Sequence, residues 1–153
     1  MKKLLILPGL FFFTLLRLTA QEPTVVYDSL LAQKLGADAY GMRSYYFVLL
    51  TTGPVVSEDK TLTDSLFSGH MQNIGQMAKD GKLVVAGPFF KNDRNYRGIF
   101  ILSAKDEAEV NELLQADPAI SHGLLAAEIT RWYGSAALPV YLETHNKIST
   151  AKP

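Results

Sequence analysis

The chain reads as one α+β domain, because its elements run strand, helix, strand, strand, helix, strand. That order predicts a ferredoxin-like βαββαβ fold, with a four-stranded antiparallel sheet and both helices on one face. Three observations carry it. Two continuous apolar runs, residues 45–50 and 83–86, are closed by Gly53-Pro54 and Gly87-Pro88. Between them Leu62, Leu66, Phe67, His70, Ile74, Met77 and Ala78 recur at spacings of three and four, which makes one stripe of a helix. A third run, 98–103, leads into a second helical segment, and a fourth strand, 124–132, follows Asp117-Pro118.

Each element has its own local cause. Asp28-Ser29 ahead of Leu30, Leu31 and Leu35, with Gly36 behind, marks a short helix over 29–35. The 45–50 strand does not alternate, so both of its faces are covered. Residues 57–60 start the long helix and Asp80-Gly81 ends it. The polar stretch 91–95 is a hairpin turn. The second long helix runs over 104–115, with Ala108, Leu113 and Leu114 inward, and Asp117-Pro118 stops it because a residue before proline avoids the helical region. The fourth strand shifts from apolar to alternating, as if one end reaches solvent. The tail from Pro139 to His145 suits either a helical turn or a strap across a partner, and residues 149–153 read as frayed. Strands apolar on both faces, with helices on one, leave a sheet face to be covered. A second copy of the chain packed sheet to sheet is the expected cover.

Length and composition bound the function. At 153 residues, 48% hydrophobic and 20% charged, the chain fits one ordinary globular domain. Lys plus Arg equals Asp plus Glu, 15 each, so nothing points to nucleic acid. The absence of cysteine excludes disulfides, thiolate zinc, cysteine nucleophiles and a cysteine-anchored lipoprotein.

Residues 1–20 look like a secretory signal peptide. Lys2-Lys3 is a positive start, residues 4–16 are apolar apart from Pro8-Gly9, and Leu18-Thr19-Ala20 offers a small residue for cleavage. The apolar run falls short of the ~20 residues a membrane span needs. Cleavage after Ala20 removes Lys2, Lys3 and Arg17, leaving 12 basic against 15 acidic residues, a net charge of −3. The expected organisation is leader 1–20, linker and short helix 21–43, domain 44–134 and tail 135–153. The expected location is periplasmic or extracellular, with no stable membrane insertion after cleavage.

His70 is the most informative polar residue, lying four after Leu66 and four before Ile74 on the apolar stripe. Two readings stand: a core histidine bonded to a backbone carbonyl, or a general acid/base in a pocket between helix and sheet. Asp117 sits at the end of the neighbouring helix. It reads either as a helix stop or as a carboxylate that orients the imidazole. Arg97 suits a substrate carboxylate or a solvated hairpin, and Tyr46, Ser68 and Pro88 are candidate pocket walls. Ser65 and Ser68 lack a nucleophile-elbow context. Trp132 either closes the pocket or packs in a dimer seam. His70, His122 and His145 have no metal-ligand spacing, and no phosphate loop follows either Gly-Pro, so no metal or cofactor is expected.

Residues 44–133 resemble the YciI (YCII-related) family of small dimeric α+β-barrel proteins. The resemblance rests on residues 46–50, on Ser68-Gly69-His70-Met71, on 81–89, on 97–102, on Ala116-Asp117-Pro118-Ala119-Ile120 and on 128–132. It implies that the helix histidine and the aspartate of Asp-Pro, His70 and Asp117, form the site. It also implies a homodimer, and lyase-like elimination on small aromatic or cyclic acids as one activity. The leader, first helix and tail depart from the compact family pattern. Two functions are carried forward: a small-molecule enzyme of lyase or isomerase type, and a non-catalytic ligand-binding or structural dimer module. A degradative monooxygenase of the same barrel superfamily is a third.

Overall fold

The computed structural model describes residues 26–150; the expected leader, the linker over 21–25 and residues 151–153 lie outside them. The first helix, α1 (Ser29–Leu35), is the one expected. The Asp28 carboxylate accepts from the Leu31 amide at its start, and Gly36 closes it at φ 67°, a left-handed conformation that glycine takes without a Cβ clash. The Arg43 guanidinium ties this helix to the domain. It donates to the Leu35 carbonyl and to Ser103 Oγ, and it lies 5.0 Å over the Tyr45 ring.

Four strands, β1 (Met42–Thr52), β2 (Leu83–Pro88), β3 (Tyr96–Leu102) and β4 (Leu125–Ser135), form one antiparallel sheet in the order β2-β3-β1-β4. β1 exceeds its apolar run at both ends because its ladder with β4 continues from Met42↔Ser135 to Thr52↔Leu125. The helices α2 (Lys60–Lys79) and α3 (Glu107–Gln115) begin at the carboxylate caps Asp59 and Asp106. The expected α+β class and strand–helix order are therefore what is observed.

The helix-side core joins Val48, Leu50, Phe100, Leu102 and Leu125 of the sheet to Met77, Val110 and Leu114. Ala108 is exposed, contrary to expectation, and Val110 takes its place. A helix turns about 100° per residue, so Val110 and Leu114 share a face that Ala108 leaves. Leu62 and Ala78 are also exposed rather than in the core. The second face carries its own apolar cluster of Tyr45, Val84 and Ile101, with Phe47, Val85 and Leu138 against it. Two consecutive valines share that face because the β2–β3 register shifts between Leu83 and Val85.

The Asp-Pro segment is more than a stop. α3 ends by itself, and Asp117 caps a separate helix, α4 (Pro118–Ser121), with Pro118 at its first position. The tail takes the helical option. A 3₁₀ turn (Leu138–Val140) leads into α5 (Tyr141–Ile148), and the Tyr141 hydroxyl donates to the Val84 carbonyl on edge strand β2 at 2.7 Å. Among the described residues no helix is long and apolar enough to cross a membrane.

Candidate active site

α2 presents Leu66, His70, Asn73 and Met77 along its inner face, at spacings of four, three and four. Leu66 and Met77 are buried in the apolar core, which seats the two polar residues between them. The residue before the histidine is a glycine for a steric reason. A Cβ on Gly69 would lie 2.7 Å from Pro118 Cγ, so glycine lets α4 rest directly on α2. That closeness brings the α4 cap under the imidazole, at the roughly 1 kcal/mol that a mid-helix glycine costs.

His70 Nδ1 lies 2.7 Å from Asp117 Oδ2. Asp117 is fully buried, yet both of its oxygens are satisfied. Oδ1 accepts from the Ala119 and Ile120 amides at 3.0 and 3.3 Å, and Oδ2 accepts from His70 and from Asn73 Nδ2, the latter at 3.3 Å. Burial is the largest single influence on this carboxyl and pushes it up. The hydrogen bond and charge of His70, with the Asn73 and Ile120 bonds, outweigh burial and hold the group below the ordinary carboxylate value. A carboxylate only accepts, so the shared proton belongs to Nδ1, and the neutral ring keeps its lone pair on Nε2. Nε2 has no protein partner among the described residues. No buried side-chain nitrogen there lacks one, so Nε2 is open to its surroundings. The ring is held flat against Phe100 (6.0 Å between centroids, 28° between planes) and edge-on to Phe67 (6.1 Å, 89°).

Those surroundings are a cleft of about 810 Å³ between α2, the β2–β3 hairpin and the helix-side face of the sheet. His70, Phe67, Ile74 and Phe100 line its inner part, and Pro88, Phe89 and Tyr96 line the hairpin side. No aspartate or glutamate is among the lining residues. The walls are mostly apolar and aromatic, as in small-molecule sites generally.

The sequence-derived candidates fare differently. The structure brings His70 and Asp117 together and puts Pro88 in the wall. Arg97 also lines the cleft, exposed at the point where the β1–β3 register shifts. Tyr46 packs against the helix-side core and Ser68 is exposed on α2; neither lines the cleft. Trp132 packs on Tyr45 at 5.9 Å on the second face, away from the cleft. His122 bonds the Pro118 carbonyl through Nδ1 at 3.0 Å, and no cluster of metal ligands occurs among the described residues. Asn73 was missed, although its place on the stripe, three residues after His70, was visible in the spacing.

No curated protein matches the chain. Among solved structures the chain is similar to 5-chloro-2-hydroxyhydroquinone dehydrochlorinase (TftG) from Burkholderia phenoliruptrix AC1100, in complex with 2,5-dihydroxybenzoquinone. The identity is 21% over 57% of this chain and 92% of that chain, with a TM-score of 0.40. A family model, the YCII-related domain, matches residues 45–133, which is more than half of the chain and includes both His70 and Asp117. The chain belongs to the YCII-related family.

Proposed function

We propose that the protein is a small-molecule enzyme of lyase or isomerase type, in which His70 moves a proton at Nε2 and Asp117 holds its tautomer. The observation that carries this reading is an imidazole with one nitrogen bonded to a buried carboxylate and the other open to an apolar cleft. The neutral ring takes a proton from a carbon or oxygen acid bound in the cleft. The resulting imidazolium is neutralised by Asp117 and returns the proton to a leaving group or to another atom of the same molecule. The aromatic walls favour a small planar or cyclic compound. A purely structural histidine would have both nitrogens bonded to protein and no cavity beside it. The test is turnover of a panel of small aromatic and cyclic acids: activity that falls at least a hundredfold in His70→Ala supports the reading, and unchanged turnover ends it.

The same reading makes the protein an exported homodimer. Residues 1–20 support export, and an N-terminus beginning at Gln21 in the secreted form is the expected finding. The second sheet face supports the dimer, since Phe47, Leu49, Ile99 and Val85 are only half-buried around its apolar cluster. Sedimentation that gives a monomer at micromolar concentration refutes the dimer.

A further inference from the structure

We propose that Asn73 is a positioning residue for the His70–Asp117 pair, aiming Asp117 Oδ2 at His70 Nδ1 so that Nε2 is the nitrogen offered to the cleft. The inference takes its purpose from the proton-transfer reading, while its geometry stands apart from it. Asn73 lies one turn after His70 on α2 and is half-buried. Its Nδ2 donates to Asp117 Oδ2 at 3.3 Å and reaches the Leu113 carbonyl at 3.5 Å. Leu113 belongs to the last turn of α3, where carbonyls lack intrahelical partners. The Asp117 amide that would continue the ladder bonds the Leu114 carbonyl instead. One amide thus fastens α2, the end of α3 and the carboxylate together.

The chemistry of the side chain fits the task. The α4 amides hold Oδ1 and leave Oδ2 to be fixed by other donors. The terminal torsion of an aspartate is soft, so His70 alone gives Oδ2 one anchor, and that anchor is the group it is meant to orient. Asparagine adds a second donor with no charge of its own. Among the described residues His70 is then the one titratable side chain in contact with Asp117. A donor at this position also opposes protonation of Oδ2, because a carboxylic O–H there would face the amide N–H. The proton is kept on Nδ1.

The test compares ¹³C,¹⁵N-labelled wild type with Asn73→Leu and Asn73→Asp, reading the His70 imidazole nitrogens and the Asp117 carboxyl by NMR. The wild type should show the Nδ1–H tautomer. Asn73→Leu, similar in size but without the donor, should convert this to a mixture of tautomers and move the Asp117 titration upward. Asn73→Asp places two carboxylates within reach of each other, so they should share one proton and give an additional carboxyl titration. With a substrate in hand, Asn73→Leu should lower kcat about tenfold and leave KM unchanged, the effect of one hydrogen bond to a charged group. His70 tautomer and Asp117 titration unchanged in either variant that folds overturn the proposal and leave the catalytic reading intact. Undiminished turnover in His70→Ala does the reverse. Each variant is a test by itself should the other fail to fold.

Discussion

Replacing Gly69 with alanine probes how the site is assembled. The added methyl would sit 2.7 Å from Pro118 Cγ and 3.3 Å from Pro118 Cβ. Carbon atoms prefer about 3.5–4.0 Å, so the closer contact is short by roughly 1 Å. The proline ring is stiff and opens α4, so relief comes by moving α4 off α2 as a unit. Asp117 caps that helix and moves with it. A displacement of roughly 1 Å would stretch the 2.7 Å His70–Asp117 contact past the range of a hydrogen bond. Two terms compete in stability. Alanine improves helix propensity by about 1 kcal/mol, and overpacking costs about 1–3 kcal/mol. The expected net is a loss of about 0–2 kcal/mol, read as a lower urea midpoint, together with loss of the preferred Nδ1–H tautomer of His70. A Gly69→Ala protein that gains about 1 kcal/mol and keeps the tautomer would refute the claim that this glycine exists to seat Pro118.

Two further predictions rest on separate contacts. Asp117 is held below its ordinary value in the fold, so its contribution is complete above the usual carboxylate range and is lost as pH falls from that range through the lower folded value. Asp117→Asn should therefore lower stability near neutrality by about 1–3 kcal/mol, and the gap from wild type should narrow across that acid window in urea unfolding. A constant gap would contradict the assignment. Tyr141→Phe removes the hydroxyl bond to the Val84 carbonyl and should loosen α5 from the sheet edge by about 1 kcal/mol. Faster hydrogen exchange confined to α5 and β2 checks this, and unaltered exchange counts against it.

Much of the fold was legible because its signals are local and repeated. The Asp28 cap, the Gly53-Pro54 stop and the three-four spacing around His70 all act within a few residues, and α1, β1 and α2 formed where they pointed, whereas Gly87-Pro88 stays paired inside β2 and α3 starts at Glu107 behind its Asp106 cap rather than at Ala104. What stayed hidden depends on contacts between distant segments. The length of β1 is set by its ladder with β4. The bulge that turns Val84 and Val85 to one face belongs to the pairing of β2 with β3. Arg97 suits a substrate carboxylate by its chemistry, and the approach of the β2–β3 hairpin to α2 is what puts it at the cleft. The importance of Gly69 needed the position of Pro118, which lies 49 residues away. Asn73 could have been noticed, since a second polar residue on an apolar stripe one turn from a histidine calls for a partner.

In the proposed reaction His70 Nε2 is the group the fold offers to a substrate. A crystal structure of the protein with a slowly reacting analogue of any compound it turns over tests this most directly. The analogue should lie in the cleft against Phe67 and Phe100, with Nε2 about 2.6–3.2 Å from the atom that loses or gains the proton and Nδ1 still on Asp117. An analogue bound outside this cleft, or in it with Nε2 turned away, would show that His70 is not the reacting group.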